Sequence, residues 1–558
     1  MEAKVWHRFY PEGTPPEVEL QETTMPEALE AAARDFPDHV AYIYMGKMLT
    51  YGQLQKLVYR CANALADLGV QPGDKVGMLL PNLPQAIIAD YAAYFLGAVT
   101  VMNNPLYTER ELLHQLNDSD TTYIVTLDLL LPRVLKLQPQ TGIKKIITCH
   151  INDYLPFPVK QLFPFIKKDM YRKDEPHPDV YPFMDLINRY PETPVEIRAK
   201  WSETAALLYT GGTTGVSKGV ELTHANISSA VQIFSAWFPD IKRGDQERLV
   251  GVYPVFHIAG YEVSQNLIVW NAWSCVLVPR PEPAVITKML KKFRPTFLPG
   301  VPTIYVGLLG LQEFREMDLS FVKGYFGGAA PLPEDTLNQL RDLHGAVIND
   351  VYGATENTAF ATATPWKGTV KIGTVGVPLP NTEIKIVDLE TGEKELGPGE
   401  DGEICIRGPQ VMKGYYKRPE ETAAVLKDGW FYLGDIGHLD EDGYLTIADR
   451  KKDMIVAGGY NIYPAEVDQV LMLHPDVLEA CAIGVPDEYR GETVKAYVVP
   501  QTGKTLDAEA LKTYCKENLA AYKVPTEFIW VAELPKTAVG KILRRMVREM
   551  EMERINKG

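Results

Sequence analysis

The sequence predicts an α/β protein: a large multi-subdomain N-terminal domain of layered α/β subdomains, then a small β-rich subdomain, then a small α+β domain. Three observations carry that expectation. Helical-period segments alternate with short apolar runs from about Leu54 to Leu298, the pattern of helices laid over largely parallel sheets. Beyond about Thr382 the texture changes to short strands separated by Gly-rich turns. Finally, 558 residues exceed what one hydrophobic core serves, so two or more domains are required.

Leu54, Leu57, Val58, Cys61, Ala62, Leu65 and Leu68 recur at helical spacing and stop at Gly69, where a glycine can take positive φ. After the turn Gln71-Pro72-Gly73-Asp74 come a strand at Val76 to Leu80, a mostly apolar helix from Pro84, and a strand at Ala98 to Met102. Further strands are expected at Tyr123 to Thr126, Lys145 to Thr148, Ala205 to Leu208, Leu249 to Tyr253, Cys275 to Val278 and Thr296 to Leu298. Glu383 to Val387, Gly402 to Ile406 and Tyr444 to Ile447 form the β-rich part. A helix from about Pro464, strands near Ala480 to Val485 and Val494 to Val499, a helix near Leu506 to Leu519 and a strand at Glu527 to Val531 make the last domain. Between them the charged run Asp449 to Asp453 reads as a solvated turn or a linker.

Composition is that of a globular protein, 46% hydrophobic and 23% charged, so neither disorder nor a membrane-embedded body is indicated. The net charge of -15 argues against general affinity for nucleic acid or anionic membranes, and anionic ligands must be held by local clusters. The six cysteines are scattered with no C-x-x-C pair, as free thiols are. Met1 to Gly13 has no signal-peptide core and the longest apolar stretch, Ala86 to Met102, is broken by Asp90 and Gly97, so a cytoplasmic protein is expected.

After the apolar run Ala205 to Leu208 comes Y-T-G-G-T-T-G-V-S-K-G from Tyr209 to Gly219. Glycines let backbone N-H groups approach a phosphate, and hydroxyls and one ammonium add donors, so the order reads as an anion cradle. It is not a Walker A loop, because Ser217 precedes Lys218 and Gly219 follows. An isolated Gly/Thr/Ser run is usually a plain loop; the placement directly after a strand and before Lys218 favours phosphate.

This stretch closely resembles the phosphate loop of the adenylate-forming superfamily of acyl-CoA synthetases, luciferases and adenylation domains. The resemblance extends over nearly the whole chain and is nearest to bacterial long-chain fatty-acid CoA ligases, through Asn104 to Thr108, Gly408 to Met412, Asp449 to Ile455, Asn461 to Pro464 and Lys541 to Arg545. It implies an N-terminal domain 1–448, a hinge 449–453 with Lys452 as its pivot, and a mobile C-terminal domain 454–558. It further implies ATP, Mg2+ and coenzyme A as ligands. Thr210, Gly211, Gly212, Thr213, Thr214, Gly215 and Lys218 would cradle phosphate, with Thr210 and Glu356 at the metal. Gly328 and Ala329 make room for adenine, flanked by Asp350, Val351, Tyr352 and Gly353; Thr355 touches the α-phosphate.

Asp435 resembles the ribose acceptor, with Ile447 and Arg450 nearby, although Leu433 stands where the family usually has Thr. Lys541 resembles the catalytic lysine of adenylation, and Gly458, Gly459 and Tyr460 the segment along which the pantetheine arm passes. His257 and Gly328 fall at the acid, and Tyr261, four residues beyond His257, at the gate of the acyl tunnel. A lone His among apolar residues is more often structural, and a Lys near a chain end more often solvated; only the resemblance raises both.

A fatty acid is the expected substrate, although Glu262, Ser264 and Gln265 are polar for a long alkyl chain. An aryl or short-acid ligase, an acyl-AMP ligase and a non-catalytic nucleotide-binding protein are the alternatives. No carrier domain fits between Lys541 and Gly558, against a peptide-synthetase module. A homodimer stays open. Leu155 to Lys168 interleaves Phe157, Phe163, Phe165 and Ile166 with Lys160, Lys167 and Lys168, a composition that suits either a bilayer surface or a loop packed on the body.

Overall fold

The structure is a computed structural model and describes residues 4–210, 217–328, 334–457, 460–487, 490–537 and 540–557. By internal contacts the chain divides into two units. The first comprises Met1–Ile372, Gly376–Glu383 and Arg407–Phe431; the second comprises Gly373–Val375, Ile384–Ile406 and Tyr432–Gly558.

Two large sheets build the first unit. In the eight-stranded sheet, Lys75–Leu79 lies between Val99–Met102 and Thr121–Leu127, all parallel, and Val99–Met102 pairs in turn with Thr204–Thr210. Its edge is antiparallel, running through Lys218–Thr223 to Gly414–Tyr415. In the nine-stranded sheet, Ser274–Leu277, Arg248–Gly251, Phe297–Pro299, Gly324–Gly327 and Ile348–Tyr352 are parallel neighbours. Leu298, Tyr305, Leu308, Phe314 and Ile348 pack the core beside this second sheet.

The predicted helix at Leu54 forms as Tyr51–Asp67. Thr50 and Gln53 cap its start reciprocally, and Gly69 ends it at φ +97°. Leu54, Val58, Cys61, Ala62 and Leu65 form its buried stripe. The helix predicted from Pro84 is Pro84–Phe95, and all 12 of its residues are buried, Asp90 included. All six cysteines are buried free thiols.

The second unit holds a five-stranded sheet in which Val477–Asp487 and Gly491–Pro500 are the long antiparallel pair, with Glu527–Trp530 added parallel to the latter. Helices Pro464–Met472 and Ala508–Asn518 bury Val467, Leu471, Leu511 and Cys515 against Ala480, Ala482, Ala496 and Val498. Asp449 and Arg450 finish the strand Leu445–Arg450, and 451–453 form a turn, closed by Asp453 N-H donating to Arg450 O at 2.8 Å. The strand Trp430–Leu439 was not legible in the sequence, because Gly434 and Gly437 break its alternation.

Candidate active site

The two strands that flank the predicted phosphate loop pair with each other. Strand Thr204–Thr210 pairs with Lys218–Thr223, and the register closes on Thr210 opposite Lys218. Gly211, Gly212, Thr213, Thr214 and Gly215 lie outside the described residues. Lys218 makes an ion pair with Glu421 and places its ammonium 5.1 Å from the centre of the Tyr415 ring. Tyr415 in turn donates its hydroxyl to Glu356 Oε1 at 2.9 Å. One tyrosine therefore joins the loop's cation to the carboxylate expected at the metal. Burial and the Glu356 charge push the Tyr415 phenol well up, so it stays a donor across the physiological range. Sequence reasoning missed Tyr415 and Glu421, since an aromatic pair in a turn followed by a charged helix carries no chemical signature; their meaning comes from Tyr415 pairing with Val220 across the sheet edge.

The residues expected to wall adenine lie where two parallel strands end side by side. Gly324–Gly327 and Ile348–Tyr352 run in register with Gly327 opposite Asp350, so Gly328 and Val351 emerge together at the carboxyl ends, where open α/β sheets bind ligands. A Cβ on Gly328 would lie 3.2 Å from Val351 O, so the backbone is bare there. Ala329 lies outside the described residues. Burial raises the Asp350 carboxyl to about 6.

The next turn is held tightly. A Cβ on Gly353 would meet Ala359 O at 2.1 Å, while Thr358 and Ala359 sit at φ +54° and +70°. Buried Asn357 accepts from Ala354 N-H at 2.5 Å. Thr355 and Glu356 thus ride on the rigid one-turn helix Thr355–Asn357. Gly353→Ala is expected to lower stability by about 1–3 kcal/mol through overpacking and to weaken ATP binding, measured by thermal unfolding and nucleotide titration.

The acid segment follows strand Arg248–Gly251. Asn82 donates to Gly251 O at 3.0 Å and Tyr253 O at 2.9 Å, and accepts from Val255 N-H at 2.9 Å. His257 Nδ1 accepts from Ala259 N-H at 3.3 Å, which orients the ring at the head of the short helix Ile258–Gly260. Tyr253 donates to Gly300 O at 3.1 Å, and its hydroxyl is 3.9 Å from a Cβ built on Gly328, so the segment expected at the acid adjoins the residues expected at adenine. Tyr261 is fully buried with its hydroxyl bonded to that of Tyr94.

In the second unit Asp435 and Arg450 face each other across antiparallel strands, with Arg450 Nε 3.1 Å from Asp435 Oδ1, and Ile447 opposes Gly437 two positions away. Lys541 sits on a turn in which its N-H donates to Thr537 Oγ1 at 3.1 Å and its carbonyl accepts from Thr537 N-H at 2.8 Å. Lys541 keeps exposed surface, yet desolvation by its surroundings and the cations Arg450, Lys452 and Arg544 lower its pKa to about 8 against the pull of Asp435. Burial and Arg450 likewise lower that of Lys452. The backbone of Tyr460 pairs with Ala457; Gly458 and Gly459 lie outside the described residues.

Residues 29–416 match the AMP-binding enzyme family and 466–541 the AMP-binding enzyme C-terminal domain. The chain belongs to the AMP-binding enzyme family. This AMP-binding enzyme is 42% identical over 553 residues to a long-chain-fatty-acid--CoA ligase of Bacillus subtilis (strain 168), covering 99% of this chain and 98% of that one. Among solved structures, ATP-bound MatB from Rhodopseudomonas palustris is 28% identical with a TM-score of 0.83, covering 95% of this chain and 99% of its own. The anthranilate CoA ligase AuaEII in complex with anthranoyl-AMP is 25% identical with a TM-score of 0.85, covering 96% and 98%. These neighbours share the α/β architecture of a large N-terminal and a small C-terminal domain.

Among the described residues, no group of three or more His, Cys, Asp or Glu could hold a metal ion. Mg2+ keeps its waters and takes one or two carboxylates besides nucleotide phosphates. Glu356, with a hard oxygen at the end of a rigid turn, and the Thr210 hydroxyl are the residues that would hold it.

Proposed function

We propose that this AMP-binding enzyme is an ATP- and Mg2+-dependent carboxylic acid:CoA ligase acting on a fatty acid. The carboxylate oxygen attacks the α-phosphorus of ATP, the bond to pyrophosphate breaks, and an acyl-adenylate forms. The sulfur of coenzyme A then attacks the acyl carbon and AMP leaves. The observation that carries this reading is the Lys218–Tyr415–Glu356 array, which sets a cation, a hydroxyl and a hard carboxylate beside the strand end at Thr210 that leads into the Gly/Thr-rich loop. The substrate is its own nucleophile, so the protein needs to supply only charge stabilisation and position. Mg2+ would neutralise phosphate charge. His257 orients the acid, Asp435 and Arg450 hold the ribose, and Lys541 bridges carboxylate and α-phosphate. Lys452 is the hinge, within a boundary at 449–453, and the fatty-acid branch is supported by the relatives' names.

The test is pyrophosphate release with ATP and Mg2+ across acetate, octanoate, palmitate and benzoate, each with and without coenzyme A. Release that needs coenzyme A and peaks with an aliphatic acid supports the reading. A peak with benzoate moves the substrate to aryl acids, and adenylation without use of coenzyme A makes the protein an acyl-AMP ligase.

Among the described residues no helix is long and apolar enough to cross a membrane, and a cytoplasmic enzyme touching the inner membrane face is the fitting location. Helix Val159–Ile166 supports the surface contact. Phe165 and Ile166 are 74% and 67% exposed, Phe157 before the helix is 83% exposed, and exposed Lys167 and Lys168 follow. Phe163 does not belong to this face: at 6% exposure it anchors the helix to the body. Phe165→Ser with Ile166→Ser is expected to cut co-sedimentation with anionic phospholipid vesicles severalfold at unchanged thermal stability; unchanged co-sedimentation removes the patch.

A further inference from the structure

Beyond His257 the chain enters an unusual helix. Between Ile258–Gly260 and Leu267–Asn271 lies a π-helical turn, Tyr261–Asn266, a distortion found mostly at functional sites. Tyr261, Glu262, Ser264, Gln265 and Asn266 are all buried, and Tyr261, Gln265 and Asn266 hydrogen-bond to the fully buried helix Pro84–Phe95.

The two are joined by polar side chains. Tyr94 and Tyr261 bond hydroxyl to hydroxyl, Tyr94 also donates to Asp90 Oδ2 at 3.1 Å, and Gln265 donates to the same oxygen. Asn266 reaches Glu262 Oε1 at 3.4 Å and receives Tyr91 OH at 3.3 Å. Among the described residues, Asp90 Oδ1 and Glu262 Oε2 have no hydrogen-bond partner, although both side chains are at most 1% exposed. Buried polar atoms without partners are rare because each costs its desolvation. Burial also raises the Asp90 carboxyl to about 7 and that of Glu262 well above its ordinary value, so at neutral pH Glu262 can donate as well as accept.

This ledge begins one helical turn past His257, and Tyr261 N-H donates to His257 O at 2.9 Å. Held with its carboxylate at His257, an acyl chain that ran along this helix would meet the ledge next. A plain alkyl chain would leave the two carboxyl oxygens facing hydrocarbon, whereas a hydroxyl or carbonyl on the acid would pair them. A site built to hydrogen-bond a substrate oxygen rejects the analogue that lacks it far more strongly than an apolar pocket rejects an extra methylene.

We propose that Asp90, Tyr94, Tyr261, Glu262 and Gln265 form a polar specificity floor of the acid site, which selects an acid whose acyl part carries a hydrogen-bonding oxygen over the plain alkyl acid of the same length. The proposal rests on the acid:CoA ligase reading and on the placement of the acid at His257. It narrows the substrate class from fatty acids to oxygen-bearing ones.

The experiment measures kcat/KM for pyrophosphate release by the full-length enzyme with ATP and Mg2+ for matched pairs: butanoate and 4-hydroxybutanoate, octanoate and 8-hydroxyoctanoate, decanoate and 10-hydroxydecanoate. The expected result is a preference of about tenfold or more for the hydroxy acid at one length at least. In Glu262→Met, of similar volume, that ratio should fall toward one, with the plain acid gaining while the hydroxy acid loses. Should Glu262→Met fail to fold, the wild-type ratios alone decide. Plain acids equal to or better than their hydroxy partners at every length overturn the floor and leave the ligase reading standing. No release with any acid, the panel of simple acids included, overturns both.

Discussion

Adenylation by Lys541→Ala is expected to fall about 10²–10³-fold, the loss that follows removal of one preorganised charge donor from a developing transition state. Conversion of supplied acyl-adenylate to the thioester should stay near wild type, because the role proposed for the lysine is at the α-phosphate and that bond is already made. ATP-pyrophosphate exchange measures the first step and single-turnover thioester formation the second; exchange surviving at wild-type rate would remove Lys541 from the chemistry. The setting of the residue supports a poised cation. Its turn is pinned at both backbone groups by Thr537, and its pKa is lowered to about 8 by desolvation and then by Arg450. The sign follows directly: the charged form is present below about pH 8 and is lost above it. The kcat/KM for adenylation, which reports the free enzyme, should therefore decline above about pH 8 while thioester formation does not share that decline. Lys541→Arg, charged at every accessible pH, should abolish the decline even if its plateau is lower.

The second large effect is expected at Lys452. It lies inside the turn between strands Leu445–Arg450 and Ile455–Ala457, where Asp453 N-H closes back on Arg450 O. Hinges work through a few backbone dihedrals, and proline fixes φ near -65°. Lys452→Pro should leave adenylation within about threefold of wild type and reduce thioester formation about 10²-fold, the scale set by misplacing reacting groups by an ångström or so. Equal loss of both half-reactions would show that the turn is only structural, and loss of neither would move the hinge elsewhere. The turn is otherwise well anchored: Arg548 binds Asp453 Oδ1 at 3.1 Å and Lys451 binds Glu403 at 2.7 Å, so the variant should fold.

Much of the fold could be read residue by residue. The helix ending at Gly69 and the strands at Val76, Ala98, Tyr123 and Lys145 all form within a residue or two of their expected bounds, because period and turn chemistry are local. The strand carrying Asp435 escaped, since two glycines and a mixed face hide its alternation, while Asp435 itself stands out only by its motif. The site divides in the same way. The order Gly-Thr-rich loop, Tyr-Gly-x-Thr-Glu, Gly-Asp and Gly-Lys is written along the chain, and it was enough to place the protein among AMP-binding enzymes. Tyr415 and Glu421 were not legible, because nothing in their neighbours distinguishes them until the sheet edge brings them to Lys218.

The same division governs the substrate. Polar letters at Glu262, Ser264 and Gln265 were visible as an oddity in a segment expected to line an alkyl tunnel. Their chemistry depends on a helix from elsewhere in the chain: Tyr94 and Tyr261 are 167 positions apart, and Asp90 and Gln265 are 175 apart. Composition, element order and nucleotide chemistry follow from residues close together in the chain, where hydrophobic period, turn preference and motif spacing act. Which buried polar groups meet, and which are left without a partner, follows only from packing distant segments together, because a hydrogen bond depends on distance and direction in space.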